Sequence, residues 1–123
     1  PPEGRRFAGY LAFKCWEHRE RFFHLLDQAS EAAGLGGVTT LSRCGKSSAT
    51  EPQRKKERYS SSYMDDAVEM FSGYRFALVF ENNMSPRYVT EKIVNAFLAG
   101  AIPIYWGSPF VHRLFNPRAF IYA

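Results

Sequence analysis

Long apolar runs are missing from this sequence. No window of its 123 residues approaches the ~20 consecutive apolar residues of a membrane helix, so no span is expected inside it. Cysteine is scarce. Cys15 and Cys44 are too far apart to act as paired C-x₂₋₄-C ligands, and His18, His24 and His112 form no ligand motif. No metal is therefore expected. The two cysteines allow one bridge or two buried free thiols, and both alternatives stay open. No G-x-G-x-x-G follows the first apolar segment and no G-x-x-x-x-G-K-[ST] occurs, which excludes an ordinary dinucleotide fingerprint and a P-loop. Arg43-Cys44-Gly45-Lys46-Ser47 ends on Gly-Lys-Ser but lacks the upstream glycine and the strand–loop–helix setting. The G-x-S-x-G elbow of serine hydrolases is absent too. There is no internal repeat, no initiator Met and no charged-then-apolar leader. The chain opens on Pro1-Pro2 and stops at Ile121-Tyr122-Ala123, and it is expected to be a fragment.

What is present is a globular composition. Hydrophobic residues make 46%, aromatic 16% and charged 23%, which speaks against wholesale disorder. The net charge of +4 attracts anions such as nucleic acid, anionic membrane or phosphorylated small molecules. The densest basic run, Arg54-Lys55-Lys56 with Arg58, lies among Ser, Thr, Glu, Pro and Gln and reads as a solvated loop. A nucleic-acid surface would interleave basic and aromatic residues on one face, so no nucleic-acid partner is expected.

Periodicity orders the chain. Phe7 to Phe13 is short, apolar and aromatic, which predicts a strand. His18 to Ala33 switches to a helical period, with Phe22, Leu25, Leu26, Ala29 and Ala33 on one face and Gly34, Gly36 and Gly37 stopping it. A short strand over Val38–Leu41, a polar loop over 42–62 and a helix over Tyr63–Phe71 follow. Tyr74–Phe80 and Ala101–Trp106 read as strands around a helix from about Val89 to Ala99 that ends at Gly100, and Pro103 suits an early or edge position. A brief helix over Phe110–Phe115 and a strand over Ala119–Tyr122 close the series. Strands alternating with helices predict an α/β fold, a parallel sheet with helices on both faces.

In such folds ligands bind where strands end and helices begin. The junction 80–92 is the richest, with Glu81, Asn82, Asn83, Ser85, Arg87, Tyr88, Thr90, Glu91 and Lys92. Ser85 or Thr90 can cap the helix. Lys92 and Arg87 are cations where a helix start disfavours them, which makes sense if an anion sits between them; an ordinary exposed helix start explains the segment equally well. Glu81 and Glu91 can accept hydrogen bonds from ribose or sugar hydroxyls, or serve as surface charge and capping. At the first helix, Arg19 or Arg21 can fork onto a diphosphate, or simply form a solvated face. Phe76, Phe80, Tyr105 and Trp106 read as core aromatics.

Tyr74–Asn82 (YRFALVFEN), Tyr88–Lys92 (YVTEK), Ala99–Gly107 (AGAIPIYWG) and Phe115-Asn116-Pro117 with Phe120-Ile121 resemble, in this order, the donor-binding signature of the α1,3-fucosyltransferases. Cys15, Arg19-Glu20 and Cys44-Gly45 resemble the family more weakly. The resemblance implies the Rossmann-like C-terminal half of a two-domain, facing-Rossmann (GT-B type) glycosyltransferase, with the acceptor domain outside this chain. It implies GDP-fucose as donor, no obligatory cofactor or metal, a glycan acceptor, and transfer with inversion to the 3-hydroxyl of N-acetylglucosamine or glucose. By the same carry-over Arg19 and Lys92 hold the diphosphate, and Tyr88 and Glu91 contact the nucleotide-sugar. Glu81 and Asn82 line the donor site near fucose, while the general base lies in the acceptor domain. The chain alone is then expected to bind donor weakly and transfer nothing. For a eukaryotic source the resemblance implies a Golgi type II enzyme with its membrane anchor outside these residues.

Three positions depart from the pattern. Asn83 stands where the family has Ser, Arg87 where it often has Asp, and the turn at Cys44 reads Cys-Gly rather than Gly-x-Cys. Two other readings compete. One is a donor domain for a different sugar nucleotide. The other is a basic phospholigand or nucleic-acid module, whose mark would be steeply salt-dependent oligonucleotide binding.

Overall fold

The computed structural model describes residues 4–12, 14–42, 44–45 and 63–123. Phe13, Arg43 and the segment 46–62, with its Gly-Lys-Ser ending and basic run, lie outside the described residues. The elements are β1 (Arg6–Tyr10), α1 (Glu17–Ala32), β2 (Val38–Thr40), α2 (Tyr63–Phe71), β3 (Tyr74–Phe80), α3 (Lys92–Leu98), β4 (Ile102–Trp106), α4 (Val111–Leu114) and β5 (Ile121–Tyr122). All strand pairs are parallel, in the order β2-β1-β3-β4-β5. Pro103 is early in its strand but not at the sheet's edge, since β4 lies between β3 and β5.

The alternation of side chains along β3 divides the core. Ala77 and Val79 face a cluster with Met70, Phe71, Ile93, Ala96 and Val111, on the side of α2, α3 and α4. Leu78 and Phe80 face the opposite cluster with Tyr10, Phe23, Val38 and Ile104, on the side of α1. The central strand β3 is thus apolar on both faces over Ala77–Phe80, as strands of a parallel sheet between two helix layers are. Tyr105 is fully buried, as expected for a core aromatic.

The face α1 buries matches the sequence expectation in part: Phe22 and Leu26 pack against the core, but the most buried stripe is shifted from them. Its buried residues are Arg19, Phe23, Asp27 and Ser30, whereas Leu25 is 61% exposed and Ala29 and Ala33 are exposed. The stripe carries polar residues because they have structural partners. Asp27 Oδ1 accepts the Val38 N–H at 2.9 Å, pinning the start of β2, and the Ser30 hydroxyl donates to the Asp27 carbonyl at 3.0 Å. Phe23 supplies the apolar anchor, with no exposure, stacked on Tyr10 at 4.9 Å. Its burial contributes about 1.5–3 kcal/mol.

Glycine ends α1 and α3 as expected. Gly34 (φ 78°) and Gly100 (φ 79°) adopt the left-handed conformation two residues past the last residue of each helix. Around them Leu35 N–H donates to Ser30 O and Ala101 N–H to Ala96 O, the long bond of the Schellman motif. Among the described residues no helix is long and apolar enough to cross a membrane.

The chain winds from β1 outward to β2, then returns past β1 to β3. The crevice between the carboxyl ends of β1 and β3 is therefore the switch point of the sheet, where α/β folds place ligands.

Candidate functional site

A cavity of about 190 Å³ opens at that switch point. Leu11 and Ala12 after β1, Leu78, Val79 and Phe80 of β3, and Phe71 of α2 form its apolar lining. Lys14, Arg19, Asn82, Lys92 and Asn95 supply its polar groups. Sites that enclose a small molecule whole run to ~300–1,000 Å³, so this one has room for only part of such a molecule.

Arg19 defines its charge. The side chain is 2% exposed, with Nη1 donating to the Lys14 carbonyl at 2.9 Å and Nη2 to Asn82 Oδ1 at 2.6 Å. Its Nε is buried without a partner. Burial pushes its pKa down, an effect opposed by Tyr10, Glu81, Glu20 and Tyr88. The guanidinium nonetheless stays charged at any physiological pH. Among the described residues no carboxylate reaches it within ion-pair distance. The protein therefore buries a cation on neutral acceptors alone. Such an arrangement costs folding energy and is repaid when an anion docks.

Behind the lining lies a buried carboxylate. Glu81 has no exposure, and its Oε2 accepts the Thr90 N–H at 2.8 Å and the Tyr105 hydroxyl at 2.9 Å. Its Oε1 accepts the Thr90 hydroxyl at 2.7 Å and lies 3.8 Å from Lys92 Nζ. Burial, and next the Glu81 charge, hold the Tyr105 phenol well above its usual pKa. Gly107 makes room for this knot: a Cβ there would stand 2.7 Å from both Glu81 Cγ and the Tyr105 hydroxyl. Glu81 thus fastens the end of β3, the loop to α3 and the end of β4 together, and orients Lys92 toward the cavity.

The β1–α1 junction, which carries Lys14, is fastened separately. Cys15 and Cys44 form a disulfide, resolving the alternatives the sequence left open. Beside it Glu20 accepts the Tyr10 hydroxyl at 2.7 Å and the Gly45 N–H at 3.0 Å. Burial and then the Glu20 hydrogen bond raise the Tyr10 pKa far above its ordinary value. Cys15, Glu20 and Cys44 are the one cluster of metal-ligand types among the described residues, but its sulfurs are bonded to each other and offer no thiolate. His18 lies on the Trp106 ring at 4.3 Å, and burial, then the Arg19 charge, lower its pKa.

The structure brings Arg19, Asn82 and Lys92 together on one cavity. It does not bring Glu81 there: the sequence expectation of a lining residue near the sugar gives way to a fully buried anchor, because every direction from its carboxylate is filled by Thr90, Tyr105 and Lys92. Tyr88 is half-buried beside the site, near enough for its hydroxyl to act electrostatically on Arg19. Glu91 is the exposed residue preceding α3 and lines no part of this cavity. Arg87 does not join Lys92. Its backbone takes φ 65°, its N–H meets Ser108 Oγ at 3.2 Å, and its guanidinium lies over the Phe110 ring, 5.4 Å from the centroid. Arg21 pairs with Glu17 at 2.7 Å in solvent, the solvated-face alternative. Lys14 and Asn95 escaped the sequence reading. Their signals were a lysine just past the first strand, and an asparagine three residues after Lys92 on the same helix face.

Fold and site together define an α/β domain with a cationic cavity at the switch point of its sheet. The chain belongs to glycosyltransferase family 10 (fucosyltransferase), whose C-terminal model matches residues 10–123. It is 53% identical over 53 residues to the alpha-(1,3)-fucosyltransferase FucT of Helicobacter pylori, which covers 43% of this chain and 11% of that protein. It is 37% identical over 54 residues to GDP-fucose protein O-fucosyltransferase 3 of Danio rerio, covering 42% of this chain and 12% of the relative. A crystal structure of an alpha1,3-fucosyltransferase with GDP superposes over 94% of this chain and 29% of its own, with TM-score 0.71 and 34% identity. One with GDP-fucose covers 95% and 30%, with TM-score 0.62 and 32% identity. The chain spans only 18% of a relative from Acanthamoeba polyphaga mimivirus that it matches, at 32% identity, over 117 residues. The fold is accordingly the Rossmann-like C-terminal part of a facing-Rossmann glycosyltransferase.

Proposed function

We propose that this chain is the donor-binding half of a fucosyltransferase that takes fucose from GDP-β-L-fucose and delivers it, with inversion, to the 3-hydroxyl of N-acetylglucosamine or glucose in a glycan. The observation that carries the reading is Arg19, a buried cation without a carboxylate partner that shares a cavity with Lys92 and Lys14. The GDP and GDP-fucose complexes of similar structures support it. In the reaction the acceptor oxygen bonds to the sugar C1 as the bond from C1 to the β-phosphate oxygen breaks. The electron pair leaves on GDP, and the acceptor proton goes to a base of the acceptor domain. Negative charge grows on the leaving phosphate, where preoriented Arg19 and Lys92 stabilise it more than in the ground state. The likeness to protein O-fucosyltransferases favours a second acceptor, a hydroxyl of a polypeptide, with the same donor chemistry.

The test is turnover by the intact protein of GDP-fucose, GDP-mannose and UDP-galactose, each with a lactosamine or a folded protein domain as acceptor. Fucose transfer to lactosamine, abolished by Lys92→Ala, is the expected result. Fucose on the protein domain alone would replace the glycan acceptor with the second one, and transfer from UDP-galactose in preference would overturn the donor.

A further inference from the structure

The cations do not account for every group on the cavity wall. Asn95 is 3% exposed, and its Oδ1 is buried with no hydrogen-bond partner. Among the described residues only Arg19 Nε shares that condition, and both side chains line the same cavity. Native proteins rarely leave such atoms unpaired, and two on one open wall point to a ligand that completes both. The two ask for different chemistry. Arg19 Nε is a donor and takes an anionic oxygen, whereas Asn95 Oδ1 is an acceptor and takes an N–H or O–H.

Lys92 and Asn95 lie three residues apart on α3, about 4.5 Å along the helix axis and on one face. The Lys92 side chain is 34% exposed, whereas Arg19 and Asn95 are 2% and 3% exposed, so Lys92 stands at the open side of the cavity and Arg19 and Asn95 on its inner wall. Leu11, Leu78, Val79 and Phe71 line the same cavity as Asn95. A ribose there would set several hydroxyls against hydrocarbon. A flat base would lay its faces on the apolar walls and its polar edge on the amide.

We propose that Asn95 reads the nucleotide's base: its Oδ1 accepts the N1–H and exocyclic amine of guanine and so selects GDP among nucleoside diphosphates. This rests on the donor-site reading above and adds to it the residue that sets base specificity. Uracil offers one ring N–H on a smaller ring, and adenine presents an acceptor where guanine has N1–H. Hypoxanthine keeps N1–H and lacks only the amine, which makes it the sharpest probe.

The experiment is a calorimetric displacement series on the intact protein with GDP, IDP, ADP, UDP and inorganic pyrophosphate, repeated for Asn95→Ala and for Asn95→Leu, which preserves volume. The wild type should bind GDP about tenfold tighter than IDP, the worth of one buried hydrogen bond. Both variants should lose that preference while holding pyrophosphate as the wild type does, which also reports that they are folded. A wild type that binds GDP and IDP alike overturns the proposal without recourse to any variant. So does a variant that loses GDP, IDP, ADP and UDP in equal proportion, because then Asn95 serves the shared ribose or the fold. Failure of the wild type to bind pyrophosphate or any nucleotide would remove the donor-site reading itself; binding without base preference would remove only this one.

Discussion

Replacing Glu81 by Gln is the sharpest test of how the site is held. The carboxylate has no exposure and accepts three hydrogen bonds, two from Thr90 and one from Tyr105. Gln keeps the shape, the Oε2 position and its two donors, but makes those bonds neutral and puts an NH2 where Oε1 accepted the Thr90 hydroxyl, which must turn to accept instead. That loses ~1 kcal/mol at each of three bonds. Relief from burying a charge offsets part of it, so the net destabilisation is about 1–2 kcal/mol, several degrees in Tm. Amide exchange locates the effect, because protection of the Thr90 N–H should fall with the bond to Oε2 while protection inside β3 holds. A cycle with Tyr105→Phe should show coupling of about 0.5–1.5 kcal/mol, since both variants weaken the same bond. Function supplies an independent sign. Removing a negative charge 3.8 Å from Lys92 Nζ would by itself tighten an anion. If Glu81 works by orienting Lys92, GDP binding should instead weaken. Unchanged stability with Thr90 still protected would refute the anchor, and tighter GDP binding would refute the orienting role.

Arg19→Met should separate stability from binding: the free protein is expected to be as stable or more stable, while GDP affinity drops about 10–150-fold with the lost charged hydrogen bonds, as unfolding and calorimetry would show. Marked destabilisation with GDP binding intact would count against the anion role. Removing the disulfide by Cys15→Ser with Cys44→Ser opens a loop with sequence separation 29. On the chain-entropy model that costs ~3.6 kcal/mol, measurable by denaturant titration and absent if the bridge does not form in solution. Burial above all raises the folded pKa of Tyr10 and Tyr105 above the ordinary phenol value of 10.0. Below pH 10 their stabilisation is complete, and above it the unfolded chain ionises first, so stability should fall as pH rises past about 10. Tyr105→Phe should flatten that alkaline slope in a pH series of unfolding curves.

The fold was legible because its signals are local. Strand-length aromatic runs, a change of period after them and glycines at helix ends each report on a few neighbouring residues, and Gly34 and Gly100 sit in the left-handed conformation that such helix ends use. The site was legible in part. Arg19, Asn82 and Lys92 meet on one cavity because strand ends β1 and β3 are neighbours in a sheet whose alternating pattern was readable. What hid from the sequence depends on contacts across distant residues. The buried stripe of α1 carries Asp27 because Val38, a residue beyond the helix, needs it, so counting apolar positions found Phe22 and Leu26, which pack on the core, but missed the centre of the stripe. Glu81 looked like a ligand contact because a carboxylate at a strand end usually has solvent above it. Here Thr90, Tyr105 and the bare Gly107 close over it. Asn95 had only its place three residues after Lys92 as a sequence signal, and the absence of a partner for its oxygen is what marks it in the structure. The residues that a motif singles out are thus not all of one kind. Arg19 and Lys92 meet the cavity directly, whereas Glu81 acts through Lys92. For that reason Glu81→Gln and Lys92→Ala should differ in character: the first should loosen the protein as well as the site, and the second should empty the site while leaving the Thr90 and Tyr105 bonds to Glu81 in place.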